Sequence, residues 1–249
     1  MVARLGVRLL ARPLRIGRTA IAARYGHVRE ILSRDLDFRI APVNEERINA
    51  VNDPFVLGMD RSERLSIERY FLYKALIAVD FPALLAEAES DAQARLDAAD
   101  DRIDAVDEYA RAVAGNTARR LFGVAGADVP MLVEVARAIF AHTFLNLNND
   151  RAVEARALRA APLMRSWIET EIRRRRAAQE TGPDFMGALM RAADSDGRLD
   201  DDGVRRILGG MLVGSIDTTA TTVANILVTF GRDTAPRGER SQGRRAAGR

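Results

Sequence analysis

Residues Val204–Phe230 read VRRILGGMLVGSIDTTATTVANILVTF, and this stretch decides the fold. No proline interrupts it, and Asp200, Asp201 and Asp202 stand ahead of it, where acids cap free amides and favour the helix dipole. It reads as one helix of roughly 40 Å at about 1.5 Å per residue. Most side chains are apolar or small, so the helix is expected to be buried on nearly every side. Helix propensity alone would not choose the cluster Gly214-Ser215-Ile216-Asp217-Thr218-Thr219 in its middle. The Thr218 hydroxyl can bond back to the Gly214 carbonyl and loosen the helical ladder. A small residue at 214 leaves room for a flat ligand or a gas molecule, and an acid beside that gap can relay protons.

Two plainer readings stand next to this one. A buried apolar helix with threonines is ordinary core. Residues 207–230 are also long enough to cross a bilayer, and Gly210 and Gly214 form a GxxxG pair. Against a membrane span, Asp217 near the centre would cost about 3 kcal/mol, and Asn225 and the threonines add polarity.

The chain has 249 residues, 47% of them hydrophobic and 29% charged, as in an ordinary soluble globular protein. With no cysteine, disulfides, zinc–thiolate sites, iron–sulfur clusters and thiolate ligation of haem are all excluded for these residues. Lys74 is the only lysine among 38 basic residues. Residues 231–249 hold six arginines against Asp233 and Glu239, so the net charge of +3 resides in that tail and the rest is close to neutral. A nucleic-acid surface is therefore not implied.

Residues 1–29 contain seven arginines and no acid, and are read as a basic amphipathic segment (1–18) leading into a strand-like run at Thr19–Tyr25. A short helix face follows at Val28, Ile31 and Leu32. After Pro54, helix is expected from about Glu63 to Ala78, throughout 83–122, from Met131 to Asn146, from Ala152 to Ala178, and from Asp184. Within 83–122, Asp100, Asp101, Asp104, Asp107 and Glu108 are read as a helix start and its wet face. Gly123 is read as a C-cap. Arg173–Arg176 are taken as favourable cations at a helix C-terminus. The acids of Asp194–Asp202 fail the EF-hand spacing, since glycine falls at position four, and are read as turn and cap residues. His27 and His142 suggest no metal pair, and there is no HExxH, phosphate loop or nucleophile elbow.

The hexapeptide at 214–219 resembles the central helix of the cytochromes P450, whose motif is Ala/Gly-Gly-x-Asp/Glu-Thr-Thr, with Ser215 in place of the second glycine. The early strand and Val28–Leu32, the Asp104–Ala114 run and Arg120–Val124 are similar to bacterial members of that family, in the same order. The resemblance implies a mostly α, incomplete P450 domain over 19–230 with a small N-terminal β element. It lacks the C-terminal helices and the cysteine-ligand loop. It also implies haem, a small organic substrate, a ferredoxin-type redox partner and a cytoplasmic location, with neither nucleic acid nor membrane as partner.

In the family, a helix carries a histidine and, four residues on, an arginine that bind the haem propionates. With Glu63 aligned, Arg64 takes the histidine's place and Glu68 the arginine's; a shift of one gives Arg69. Arg64, Arg69 and Gly214 are thus the implied haem-binding residues, and Asp217 and Thr218 the proton-delivering pair. The plainer reading has Arg64 and Arg69 lining a solvated face with Glu63 and Glu68. The expected Glu-x-x-Arg pair is absent, since Glu239-Arg240-Ser-Gln has the wrong spacing. The tail from 231 is therefore expected to be disordered and read out of frame, and the chain inactive as a monooxygenase by itself. The alternatives are a non-catalytic helical small-molecule-binding or interaction protein and a single-span membrane protein.

Overall fold

The computed structural model describes residues 13–17 and 19–234, with side chains as far as Phe230. A two-stranded antiparallel hairpin comes first: β1 (Leu14–Ile16) pairs with β2 (Thr19–Ile21) in the register Leu14↔Ile21, Arg15↔Ala20 and Ile16↔Thr19. The expected boundary between residues 18 and 19 falls at the turn of this hairpin. Tyr25 already begins α1 (Tyr25–Ser33), which buries none of its residues. Residues 1–12 of the expected basic segment lie outside the described residues.

Helices follow in the order α2 (Ala41–Asn52), α3 (Glu63–Leu76), α4 (Phe81–Ala98), α5 (Ala112–Leu121), α6 (Val129–Phe140), α7 (Arg151–Ala178), α8 (Phe185–Asp196) and α9 (Asp201–Thr234). A π-helical stretch, Ala105–Arg111, leads into α5, and another, Ala141–Leu145, extends α6. The span 83–122 is therefore not continuous helix. It breaks at Ala99–Asp104, where the Asp104 carboxylate accepts from the amides of Val106 and Asp107 at 2.8 Å and starts a new turn. Likewise α3 stops at Leu76, short of Ala78.

Side-chain caps set most helix starts. Ser62, Asp80, Asp128, Asp150, Asp184 and Asp200 each accept from an amide of the first turn. The acid-rich 194–202 segment thus serves as a helix start, with Asp200 Oδ1 bound to Gly203 N at 2.7 Å and Asp196 paired to Arg198. The arginines at 173–176 do more than favour a dipole. Arg175 is buried and bridges Glu171, Asp184 and the Gly123 carbonyl, while Arg176 reaches Asp194 and Asp201. Gly123 sits at φ +69° against the Arg175 guanidinium, so a side chain there would be both strained and obstructed.

The core gathers around the first half of α9. Val204, Ile207, Leu208, Leu212 and Ile216 are fully buried, and α9 packs on the first π stretch, α5, α6, α7 and α8. Phe122 meets Phe185 edge-to-face at 5.5 Å within the same core. Burial on nearly every side does not extend to Phe230: Ile226, Leu227, Val228 and Phe230 are exposed. By length and hydropathy α9 does pass as a membrane span, but its first half is the core of the helical body. Residues 231–234 of the expected tail continue α9, and 235–249 lie outside the described residues.

His142, in the second π stretch, is buried with Nδ1 unpartnered, and burial lowers its pKa below the ordinary value. The unfolded chain then binds the extra proton, so the stabilisation is complete above an unfolded value of about 6.5 and is lost as pH falls through the folded pKa. Replacing His142→Phe is expected to flatten the pH dependence of the urea midpoint below that value; an unchanged profile would show that His142 does not carry it.

Candidate functional site

An open cleft of about 640 Å³ lies along α9 where its residues become small. Gly210, Met211, Gly214 and Ser215 line one side, and Leu65, Arg69, Leu72 and Tyr73 of α3 the other. Residues 55–57 and 59–61, with Asp35, Phe38 and Ile40, complete the wall, which is mostly apolar. The Phe55 ring lies flat on Gly210, where an added Cβ would stand 2.5 Å from it. At Gly214 an added Cβ would meet nothing within 4 Å, so the space expected beside that residue is present.

The loop that brings Phe55 here leaves α2 through Asp53, at φ 64° and ψ 176°. That conformation costs a non-glycine residue on the order of 1–3 kcal/mol. Arg165 and Arg205 hold the Asp53 carboxylate at 2.7 and 2.8 Å, tying the loop to α7 and α9.

The charges of the cleft are already paired, with one exception. Asp35 binds Arg61 through two bonds of 2.9 Å. Asp60 accepts from the amides of Ala41 and Ile40 and from Arg39; the Ala41 bond contributes most to holding its pKa below the usual carboxylate range. Arg69 meets Tyr73, whose hydroxyl it reaches at 3.3 Å and whose ring it overlies at 5.7 Å. Among the described residues no carboxylate pairs with Arg69.

Of the residues singled out in the sequence, Arg69 and Gly214 share this cleft and Arg64 does not. The Arg64 guanidinium binds Glu68 at 2.9 Å and lines a separate polar cleft of about 490 Å³ with Arg198, Asp200 and Arg206. Asp217 and Thr218 border the cleft's floor without lining it. As anticipated, the Thr218 hydroxyl donates to the Gly214 carbonyl, at 2.5 Å, and also approaches the Ser215 carbonyl at 3.2 Å. Thr222 and Thr229 repeat this back-bonding along the same exposed stripe.

Successive side chains on a helix diverge by about 100°, and Asp217 accordingly faces elsewhere. Its Oδ1 accepts from Arg111 Nε at 3.3 Å and lies 3.5 Å from Arg137 Nε, with 17% of the side chain exposed. Arg111, Arg137 and Tyr73 were not read from the sequence as parts of a site, and Glu68 was read only as the acid standing where an arginine was expected. The i,i+4 spacing of Asp107 and Arg111 was visible, but a contact between residues 111 and 217 leaves no local signal.

No family model matches the sequence, and no curated protein sequence matches it. Among solved structures, the crystal structure of wild-type CYP105P1 in its ligand-free form is similar, with a TM-score of 0.63 and 23% identity. The similarity covers 92% of this chain and 60% of that one, so the chain spans about 60% of the length of this relative. CYP105P1 is a cytochrome P450. The fold is accordingly a mostly helical, partial P450 fold with a small two-stranded N-terminal sheet.

The Asp217 pairs are long and partly exposed, and such pairs contribute about 1 kcal/mol or less. Asp217→Asn is therefore expected to shift the unfolding free energy in urea by no more than about 1 kcal/mol; a loss of several would mean that Asp217 is a structural keystone instead.

Proposed function

We propose that the chain is the haem- and substrate-facing portion of a cytochrome P450-type monooxygenase, with the cleft between α3 and α9 as its ligand site. The observation that carries the reading is an apolar cleft opening at Gly214 beside Arg69, a guanidinium with no carboxylate partner among the described residues. The apolar wall suits a flat porphyrin, and Arg69 suits one of its propionates, because a planar guanidinium pairs bidentately with a carboxylate. When bound, haem would supply activation of dioxygen for insertion of one oxygen atom into a small organic substrate, with electrons from a ferredoxin-type partner.

The chain's own residues would then have distinct roles. Gly214 keeps the floor open, and Arg69 orients the ligand's acid edge. Thr218, whose hydroxyl hydrogen is engaged with Gly214 O, keeps its lone pairs free to accept a proton-bearing group. Asp217 would move protons at its carboxylate only after releasing Arg111 and Arg137. Arg64 has no part in this site. Location in the cytoplasm belongs to the same reading.

The fit is incomplete at the iron. No cysteine exists in these residues, and the iron-ligating types at the cleft are Met59, Met211 and Tyr73. The 249-residue chain is therefore not a competent monooxygenase by itself. A second reading, a non-catalytic helical small-molecule-binding protein, draws on the same absence and on Asp217 facing away from the cleft.

Titration of the purified chain with ferric haem tests both. Arg69→Ala is expected to weaken binding roughly 10- to 100-fold, as loss of a charge-assisted pair of about 1.5–3 kcal/mol implies. The reduced carbon-monoxide spectrum should lack the thiolate-type Soret band. No haem binding at all would leave the non-catalytic reading, and a thiolate-type band would overturn the account of the iron.

A further inference from the structure

The buried residues of α3 are Glu68, Phe71, Leu72 and Ala75. Three of them are apolar; Glu68 is a carboxylate only 2% exposed. It accepts from Arg64 Nε at 2.9 Å and from Arg206 of α9 at 3.1 Å, and Arg206 is itself bonded to Asp202. This buried stripe runs between two clefts. On one flank Leu65, Arg69 and Tyr73 face Gly214, and on the other Glu63, Arg64 and Ile67 face Arg198 and Asp200.

Because neighbouring helical positions diverge by about 100°, a roll of α3 equivalent to one residue would carry Glu68 toward the Gly214 cleft and Arg69 out of it. Apolar contacts at Phe71, Leu72 and Ala75 oppose a full roll, which would expose them, but they are not directional and leave smaller rotations about the same buried stripe open. A hydrogen-bonded ion pair is directional, and a buried one broken on one side leaves an uncompensated charge.

We propose that Glu68 is a positioning residue for the cleft: its buried pair with Arg206 fixes the rotation of α3 so that Arg69, rather than Arg64, presents its cation beside Gly214. The proposal rests on the ligand-cleft reading above. It gives the single-residue shift between Glu68 and Arg69 a physical cause, because the acid occupies the inward position and the cation beside it must turn to the cleft.

The chain is free of cysteine, so spin labels placed at Ser66→Cys on α3 and Ala177→Cys on α7, both exposed, report the rotation directly. The decisive variant is Glu68→Leu with Arg206→Leu, because apolar replacement of a buried pair commonly preserves stability. It is expected to keep a cooperative thermal transition while the label distance shifts or spreads by roughly 5 Å, the scale of a side-chain radius on a helix. Ferric haem affinity should fall about as far as in Arg69→Ala, roughly tenfold or more.

A label distance superimposable on wild type would overturn the proposal, whatever the melting temperature does. Glu68→Asp, which keeps the charge but withdraws it, is a milder second variant. A broadened distance supports the proposal and an unchanged one opposes it. If the distance responds but Arg69→Ala leaves haem affinity untouched, the positioning role stands and the ligand-cleft reading falls. If Arg69→Ala weakens binding and the distance never moves, the reading stands and the positioning role falls.

Discussion

Everything in this molecule is arranged around the burial of one side of α9. Leu212, Ile216 and Ala220 recur every four residues and are essentially inaccessible, so that side of the helix is committed to the core. Each large side chain among them contributes about 1.5–3 kcal/mol by leaving water, which no surface interaction along the helix approaches. The opposite side must then carry Met211, Gly214, Ser215, Thr218 and Thr222. Small and hydroxyl-bearing residues therefore face outward at the point where α3 crosses, and the gap between the two helices becomes the cleft.

Arginine does much of the remaining organisation. Arg175 joins Glu171 of its own helix to Asp184 and the Gly123 carbonyl, Arg205 fastens the strained Asp53, and Arg206 meets Glu68. These are the buried members of a larger set of ion pairs, most of which are exposed and contribute little. Burial distinguishes them: an arginine withdrawn from water must be matched by carboxylates and carbonyls, and the geometry of those matches sets how helices sit relative to one another. For Glu171, hydrogen bonds from Arg174 and then Arg175 hold the carboxyl below its ordinary pKa despite the opposing effect of burial.

Much of this was legible in the sequence because it is local. The caps at Asp200 and Asp184, the Gly123 C-cap and the Thr218–Gly214 back-bond all follow from residues within four positions of each other. The helix start among Asp100–Glu108 was legible from its acids, but the break before it was not, because Ala99–Asp104 carries no proline or glycine to announce it. The exposed end of α9 was missed because apolar composition signals a need for burial without supplying the partner. The choice between Glu68 and Arg69 for the arginine's place could not be made from spacing: one residue of register separates them, and the Glu68–Arg206 contact that turns Glu68 inward spans 138 positions.

The central claim, that the α3–α9 cleft is the ligand site, has a direct test in the methionine methyl groups. Met59 and Met211 line the cleft, whereas Met164, Met186 and Met190 are buried in the core and Met131 stands in the first turn of α6. In a methyl-labelled chain, ferric haem is predicted to broaden the Met59 and Met211 signals by its paramagnetism and leave those of Met131, Met164, Met186 and Met190 sharp. Broadening centred on Met131 or Met164, with Met59 and Met211 untouched, would contradict the account.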